Sequence, residues 1–349
     1  MSAYDSDTFK NSIKSVSKID ILGKGTYGCV IPKPLKCNKN INDMLSKPSK
    51  LFVEKQDFLD ELKNMKFIYK HDKGRTCISF YDYCYINKNI ITAIINNNYI
   101  DNKLLKLCDF DNYDELYQII FNDNGVDLGK VKYNFIKLFK LGYNLIKGII
   151  LFNKLHFIHL DIKHNNILYV NKKNKLIFID LGLSLLYKDF LKTSNLKIFT
   201  EGFTFNHPPE FIAYKYAYNK IFNNYEYDFI NFKKDYENNL QPYILNFIIK
   251  YCYNNNEKLY KNALTYLFNE YYNSNNIRKL IKNTLNKIDI YGFGISFVYV
   301  IYRNDNLIIN DNNDTVNIYN IISKCLFIEP SKRYSAYDIH KLYYKYKLV

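Results

Sequence analysis

"HLDIKHNNIL", residues 159–168, places Asp161, Lys163 and Asn166 at spacings of two and three and then turns apolar. A carboxylate, an ammonium and a neutral amide crowded beside a strand-like run form either a plain solvated loop or a set of side chains aimed at one small charged object. The residues that follow favour the second reading. "IFIDLGLS" (177–184) brings another carboxylate, Asp180, to the end of an apolar run and in front of a glycine, 14 positions after Asn166. Between them, "NILYV", the turn "NKKN" and "KLIFID" read as one hairpin. Such a hairpin carries Asn166 and Asp180 at adjacent strand ends.

Working outward, "YNFIKLFKLGYNLIKGIILFNKL" (133–155) has the pattern of one long amphipathic helix. Residues 211–286 are rich in Tyr and Asn and read as helical. Toward the N-terminus, "KIDILGKGTYGCVI" (18–31) reads as strand, glycine turn and strand, and "PSKLFV" (48–53) as a short strand. "EKQDFLDELKNMKFIYK" (54–70) spaces Phe58, Leu62, Met65 and Ile68 as a helix does. "CISFYDYCYI", "IITAII" and "LYQIIF" read as β runs. The first ~125 residues therefore suggest a small sheet with one helix.

The glycine turn is G-x-G-x-x-G-x-V, with Gly23, Gly25, Gly28 and Val30. In a dinucleotide-binding fold it would run from a strand into a helix. Here Pro32 and Pro34 oppose a helix start. The turn thus sits between two strands, either as a plain hairpin or as a flap whose backbone can approach phosphate oxygens.

The quoted loop resembles the protein-kinase catalytic loop H-R-D-x-K-x-x-N, and "DLG" resembles the D-F-G magnesium site. Further stations stand in the family's order. "HPPE" (207–210) resembles A-P-E. "DIYGFG" (289–294) resembles the buried-helix D-x-W-x-x-G. "PSKRYSAYDI" (330–339) resembles the late P-x-x-R-x-x-A segment. The resemblance is to eukaryotic-type protein kinases, of the serine/threonine kind, and covers nearly the whole chain. The wording of the motifs and the Asn/Lys/Ile-rich composition look closest to divergent kinases of large DNA viruses with AT-rich genomes.

The resemblance implies an α+β, bilobal protein-kinase-like fold: an N-terminal extension (1–17), a small β-rich N-lobe with one key helix (18–124), and a larger, mainly helical C-lobe (125–349) with a helical insertion near 211–286. It implies an ATP- and Mg²⁺- (or Mn²⁺-) dependent protein kinase acting on Ser/Thr hydroxyls of a protein substrate. Asp161 is then the catalytic base, Lys163 a cation near the transferring phosphoryl, and Asn166 and Asp180 the metal ligands. His159 is structural, Asp289 holds the catalytic-loop backbone, and Arg333 pairs with Glu210. The glycine flap covers the phosphates.

The family also needs a strand lysine paired with a helix glutamate, and no V-A-I-K is present. Lys50, inside "SKLFV", is chosen over Lys55 and over Lys47, which stays the alternative. Glu61 is chosen over Glu54. "YQIIFNDNGVDL" (117–128) is placed as strand, hinge and start of the larger lobe. Phe121 to Asp123 offer backbone groups to adenine, Ile120 lies behind it, and Asp127 reaches the ribose. Leu160 stands where the family has an Arg that binds a phosphorylated activation segment, which suggests activity without that phosphorylation or a different switch. Phe203 stands where many Ser/Thr kinases have Thr. The alternatives are a pseudokinase or nucleotide-binding scaffold and a small-molecule kinase of related architecture.

The bulk numbers agree with a globular protein. The 349 residues are 48% hydrophobic and 17% aromatic, with a formal charge of +15. The basic residues form no run, so charge alone gives little support to nucleic-acid binding. Seven Cys without a CxxC pair argue against a zinc site or a disulfide framework and for a reducing, cytoplasmic setting. The first residues lack a signal-peptide pattern, and no apolar stretch is long enough for a membrane span.

Overall fold

The computed structural model describes residues 22–25, 28–37, 47–96, 108, 114–192, 204–223, 225–274, 276–303 and 313–349. They divide into two compact units, one built from residues up to 67 with 78–124, the other from 68–77 with 125–349.

The first unit is an antiparallel sheet of β1 (Gly23–Gly25), β2 (Gly28–Ile31), β3 (Ser49–Phe52), β4 (Phe80–Asn87) and β5 (Glu115–Phe121), in the order β1-β2-β3-β5-β4. Strand β3 is buried along its whole length, which explains why "SKLF" shows no clean alternation of apolar and polar residues. Gly28 is needed where β2 meets β3, because a Cβ there would lie 2.1 Å from the Leu51 carbonyl oxygen. The tip of the glycine turn, Thr26 and Tyr27, lies outside the described residues. Helix α1 (Lys55–Asp72) buries Phe58, Leu62, Met65 and Ile68, the face its spacing marked out. Phe58 packs on Phe52, Tyr83 and Tyr117.

Two expectations fail here. "IITAII" is no strand but part of helix α2 (Lys88–Asn96). The Asn87 side chain accepts the Ile90 N–H at 3.1 Å and so caps the helix, and Ile91 is buried in the sheet's core cluster. A short unbroken apolar run fits either structure, and the cap decides it. The cysteines also depart from expectation. Cys29 is bonded to Cys108 and Cys37 to Cys84, and all four belong to that core cluster. Partners 79 and 47 positions apart leave no local spacing signature.

The second unit carries a three-stranded sheet, β6 (Val126–Asp127), β8 (Ile167–Val170) and β9 (Lys175–Phe178) in the order β6-β8-β9, and a short ladder of β7 (Phe157–Ile158) with β10 (Leu185–Leu186). Residues 133–155 form two helices, α3 (Phe135–Leu141) and α4 (Tyr143–Lys154), where one was expected. The break falls at Gly142, where a side chain would meet the Phe139 carbonyl and the Phe297 ring at 2.8 Å. A short turn of helix, α5 (Tyr187–Phe190), follows β10.

The remaining helices are α6 (Glu210–Asn223), α7 (Phe229–Asn239), α8 (Pro242–Phe247), α9 (Glu257–Tyr272), α10 (Ile277–Thr284), α11 (Ile288–Arg303), α12 (Asn313–Leu326) and α13 (Ala336–Lys345). Helix α11 is buried over most of its length and forms the axis of the unit. Phe139 meets Phe293 and Phe297 of α11 and stacks on Tyr343 of α13. In the Tyr-rich segment Tyr236, Tyr260 and Tyr271 are buried, with the Tyr236 and Tyr291 hydroxyls 3.0 Å apart. Tyr serves there as core, and the Tyr236 and Tyr260 hydroxyls find partners, the latter in the Glu237 carboxylate at 3.2 Å. Among the described residues no helix is long and apolar enough to cross a membrane.

Candidate active site

In the first unit, Lys50 on β3 lies opposite Val30 and Ile119 in the strand registers. Its Nζ is 2.6 Å from the Glu61 Oε2 of α1, and both residues are almost fully buried. An ion pair so placed is costly to form and costly to break, so it fixes the lysine head with little freedom. Lys47 instead reaches the Asn122 Oδ1 at 3.5 Å and lies over the Tyr81 ring. Lys55 and Glu54 are exposed. At the proposed hinge, the Phe121 N–H donates to the Pro48 carbonyl and the Asn122 N–H to the Ser79 carbonyl, each at 2.9 Å. These two N–H groups are therefore engaged within the unit, so the backbone groups that Phe121 to Asp123 were expected to offer adenine would have to be others than these two. Ile120 is fully buried and Asp123 nearly so.

In the second unit, the hairpin of β8 and β9 pairs Ile167 with Phe178, and the Ile179 N–H donates to the Asn166 carbonyl at 3.0 Å. The backbones at the two oxygen-bearing residues, Asn166 and Asp180, are thus joined at one end of the hairpin. Asp180 has φ 62°, a left-handed conformation that non-glycine residues hold only where the surroundings enforce it. His159 links this end to the loop. Its Nε2 donates to the Ile179 carbonyl at 3.0 Å, while its Nδ1 accepts the Asp161 N–H at 3.4 Å.

The loop is held from beneath by Asp289 of α11. Its carboxylate accepts the His159 N–H at 2.9 Å and the Leu160 N–H at 3.1 Å. Burial raises the Asp289 carboxyl above its usual range, against the pull of His159 and those two bonds. Gly292, one turn along α11, lets the loop approach, since a Cβ there would lie 2.5 Å from the Ile162 carbonyl oxygen.

The Asp161 carboxylate is held by three donors. Lys163 Nζ and Asn166 Nδ2 reach its Oδ2 at 2.9 and 2.7 Å, and Asn206 Nδ2 reaches its Oδ1 at 3.2 Å. Asn166 Nδ2 also donates to the Asp161 carbonyl at 2.9 Å. With that amide nitrogen occupied twice, the Asn166 Oδ1 is the atom left to face a cation. An amide oxygen and a carboxylate are hard donors, a set that suits Mg²⁺ completed by phosphate oxygens and water. Asp127 forms an ion pair with Lys130 through Oδ2, and its buried Oδ1 has no hydrogen-bond partner among the described residues.

Farther out, Arg333 donates to both Glu210 oxygens, at 2.6 and 2.9 Å, fully buried. Sequence reading missed Asn206 and His207. His207 Nε2 lies 3.0 Å from the Leu160 carbonyl, and burial pushes its pKa down to about 4. The available signal was the polar pair "NH" set between Phe205 and two prolines in "FTFNHPPE". Phe203 lies outside the described residues.

A sheet unit with a buried lysine–glutamate pair, and a helical unit with a loop of this kind seated on a buried aspartate, define the protein-kinase class of fold. A family model for protein tyrosine and serine/threonine kinases matches residues 16–220, more than half of the chain, and the chain belongs to that family. A comparison with curated proteins found no match.

Proposed function

We propose that the protein is an active Ser/Thr protein kinase that transfers the γ-phosphoryl group of ATP. The observation that carries this reading is the Asp161 carboxylate, fixed by Lys163 and Asn166 beside a hairpin end that offers two oxygen ligands. Asp161 orients the acceptor hydroxyl and receives its proton. The hydroxyl oxygen forms a bond to the γ-phosphorus as the bond to the β-phosphate oxygen breaks, and ADP leaves. Lys163 offsets charge on the transferring group. Lys50, held by Glu61, meets the α- and β-phosphates, and the glycines of β1 and β2 offer backbone N–H groups to them. Asp127, with its unpartnered Oδ1, is suited to accept a ribose hydroxyl. Asn166 and Asp180 would hold Mg²⁺, which neutralises phosphate charge when bound. Lys163, at the position where Ser/Thr kinases resemble this chain more than Tyr kinases do, supports a Ser/Thr acceptor.

The test is transfer of labelled phosphate from Mg-ATP to a generic basic protein by wild type and Asp161→Asn, followed by phosphoamino-acid analysis. Label on Ser or Thr from wild type alone is the expected result. Equal incorporation by both proteins sinks the catalytic reading, and a melting temperature that still rises with Mg-ATP would then mark a nucleotide-binding scaffold.

A further inference from the structure

The two oxygens of Asp161 are held differently. Lys163 and Asn166 both act on Oδ2, and donors on one oxygen leave the carboxylate free to swing about that point. Among the described residues, only Asn206, 3% exposed, donates to Oδ1. The Asn206 amide is itself oriented, because its Oδ1 accepts the Thr204 hydroxyl at 2.6 Å. The neighbouring His207 acts on the residue before the carboxylate. Its Nε2 donates to the Leu160 carbonyl at 3.0 Å, and its Nδ1 accepts the Thr204 N–H at 3.2 Å, which selects the neutral tautomer. Leu160 has φ 68°. Its N–H is held by Asp289 and its carbonyl by His207, so a left-handed residue is pinned on both sides.

We propose that Asn206 is a positioning residue for Asp161, and that Asn206 and His207 together anchor the segment leading into Glu210 to the catalytic loop without any phosphate. The proposal rests on the kinase reading above and adds its regulation. Every group in the anchor is a neutral amide, imidazole, hydroxyl or backbone group, so the loop is set as soon as the chain folds. No cation precedes Asp161 to receive a phosphoryl group, since that position is Leu160.

The anchor is tested with Asn206→Ala, which deletes the donor, and Asn206→Asp, which keeps the shape and the acceptor for Thr204 but sets a carboxylate against a carboxylate. Misplacement of the base should lower kcat about tenfold in the first and about a hundredfold in the second, with KM for ATP within about twofold of wild type. A general packing role would move melting temperature and KM together and would not rank Asp below Ala. Wild type stripped by a phosphatase, with its loss of phosphate checked by mass, should keep its kcat. Wild-type kcat in Asn206→Ala, or loss of activity on phosphatase treatment, overturns the proposal. A readout without turnover separates this from failure of the kinase reading: amide exchange over 159–162 should be faster in Asn206→Ala and His207→Ala than in wild type. Unchanged exchange overturns the anchor, whereas equal phosphate transfer by wild type and Asp161→Asn overturns the kinase reading and leaves exchange to decide the anchor.

Discussion

Arg333 grips Glu210 with both ends of its guanidinium across 123 positions of sequence, and neither side chain is open to solvent. Arg333 also donates to the Phe327 carbonyl through Nε and a terminal nitrogen, and its guanidinium carbon lies 5.0 Å from the centre of the Tyr291 ring. The pair thus ties the start of α6 to the turn before α13. Removing one partner strands a buried charge, so Arg333→Met should destabilise the protein by about 3–5 kcal/mol. The double variant Glu210→Leu with Arg333→Met should cost clearly less than the sum of the single changes. Denaturant melts of the four proteins give the coupling, and additive losses would show that the pair contributes no energy of its own.

The contact between Lys50 and Glu61 separates the two candidate lysines. Lys50→Met should reduce phosphate transfer by about a hundredfold or more, as loss of a preorganised charge does. Lys47→Met should stay within about twofold, since Lys47 touches Asn122 at 3.5 Å and an exposed ring. The reverse ranking in initial rates at saturating ATP would move the phosphate-binding role to Lys47.

The disulfides predict a dependence on redox conditions. Bonds closing loops of 79 and 47 residues each restrict the unfolded chain by about 4 kcal/mol in the chain-entropy account. Reduction should therefore lower the melting temperature, and the loss should be smaller in a variant with Cys37 and Cys84 both changed to Ala. Alkylation in denaturant without reductant should label three cysteines, Cys77, Cys252 and Cys325. Labelling of all seven in the freshly purified protein would rule the bonds out.

The sequence disclosed the elements whose pattern is local. The hairpin at 167–178 turns where expected, between two apolar runs, and α1 shows its apolar face at helical spacing. Position in the chain could not reveal what depends on contact at a distance. Cys29 and Cys108 meet only because β2 and residue 108 share a core. "IITAII" became a helix because the side chain before it supplied a cap. The break at Gly142 follows from rings of α11 that lie far along the chain. The same holds for the site. The spacing of Asp161, Lys163 and Asn166 is that of one short loop and could be read directly. Asn206 reaches Asp161 over 45 positions, and no motif of its own singled it out. At Phe121 and Asn122 the residues were visible, but the destinations of their N–H groups were not.

Acid should loosen the protein through His207. Burial depresses its pKa from 6.5 to about 4, and its Nδ1 accepts a hydrogen bond that protonation would destroy. In the unfolded chain the same group binds its proton near pH 6.5. Between about pH 6.5 and 4 the unfolded state therefore binds more protons, and stability falls as pH falls across that window, by at most about 1.4 kcal/mol per pH unit for one group. His164, also lowered to about 4 by burial, adds a term of the same sign. Asp289, raised by burial, acts in the opposite direction just above its usual range. Comparison of wild type with His207→Gln, which can still donate to the Leu160 carbonyl, cancels the terms common to both proteins. The difference in their unfolding free energies, followed by urea melts from pH 7 to 4, should change in favour of the variant as acid is added. A constant difference across that range would mean that His207 keeps its proton equilibrium on folding, and that the bond from Thr204 to its ring is not made in solution.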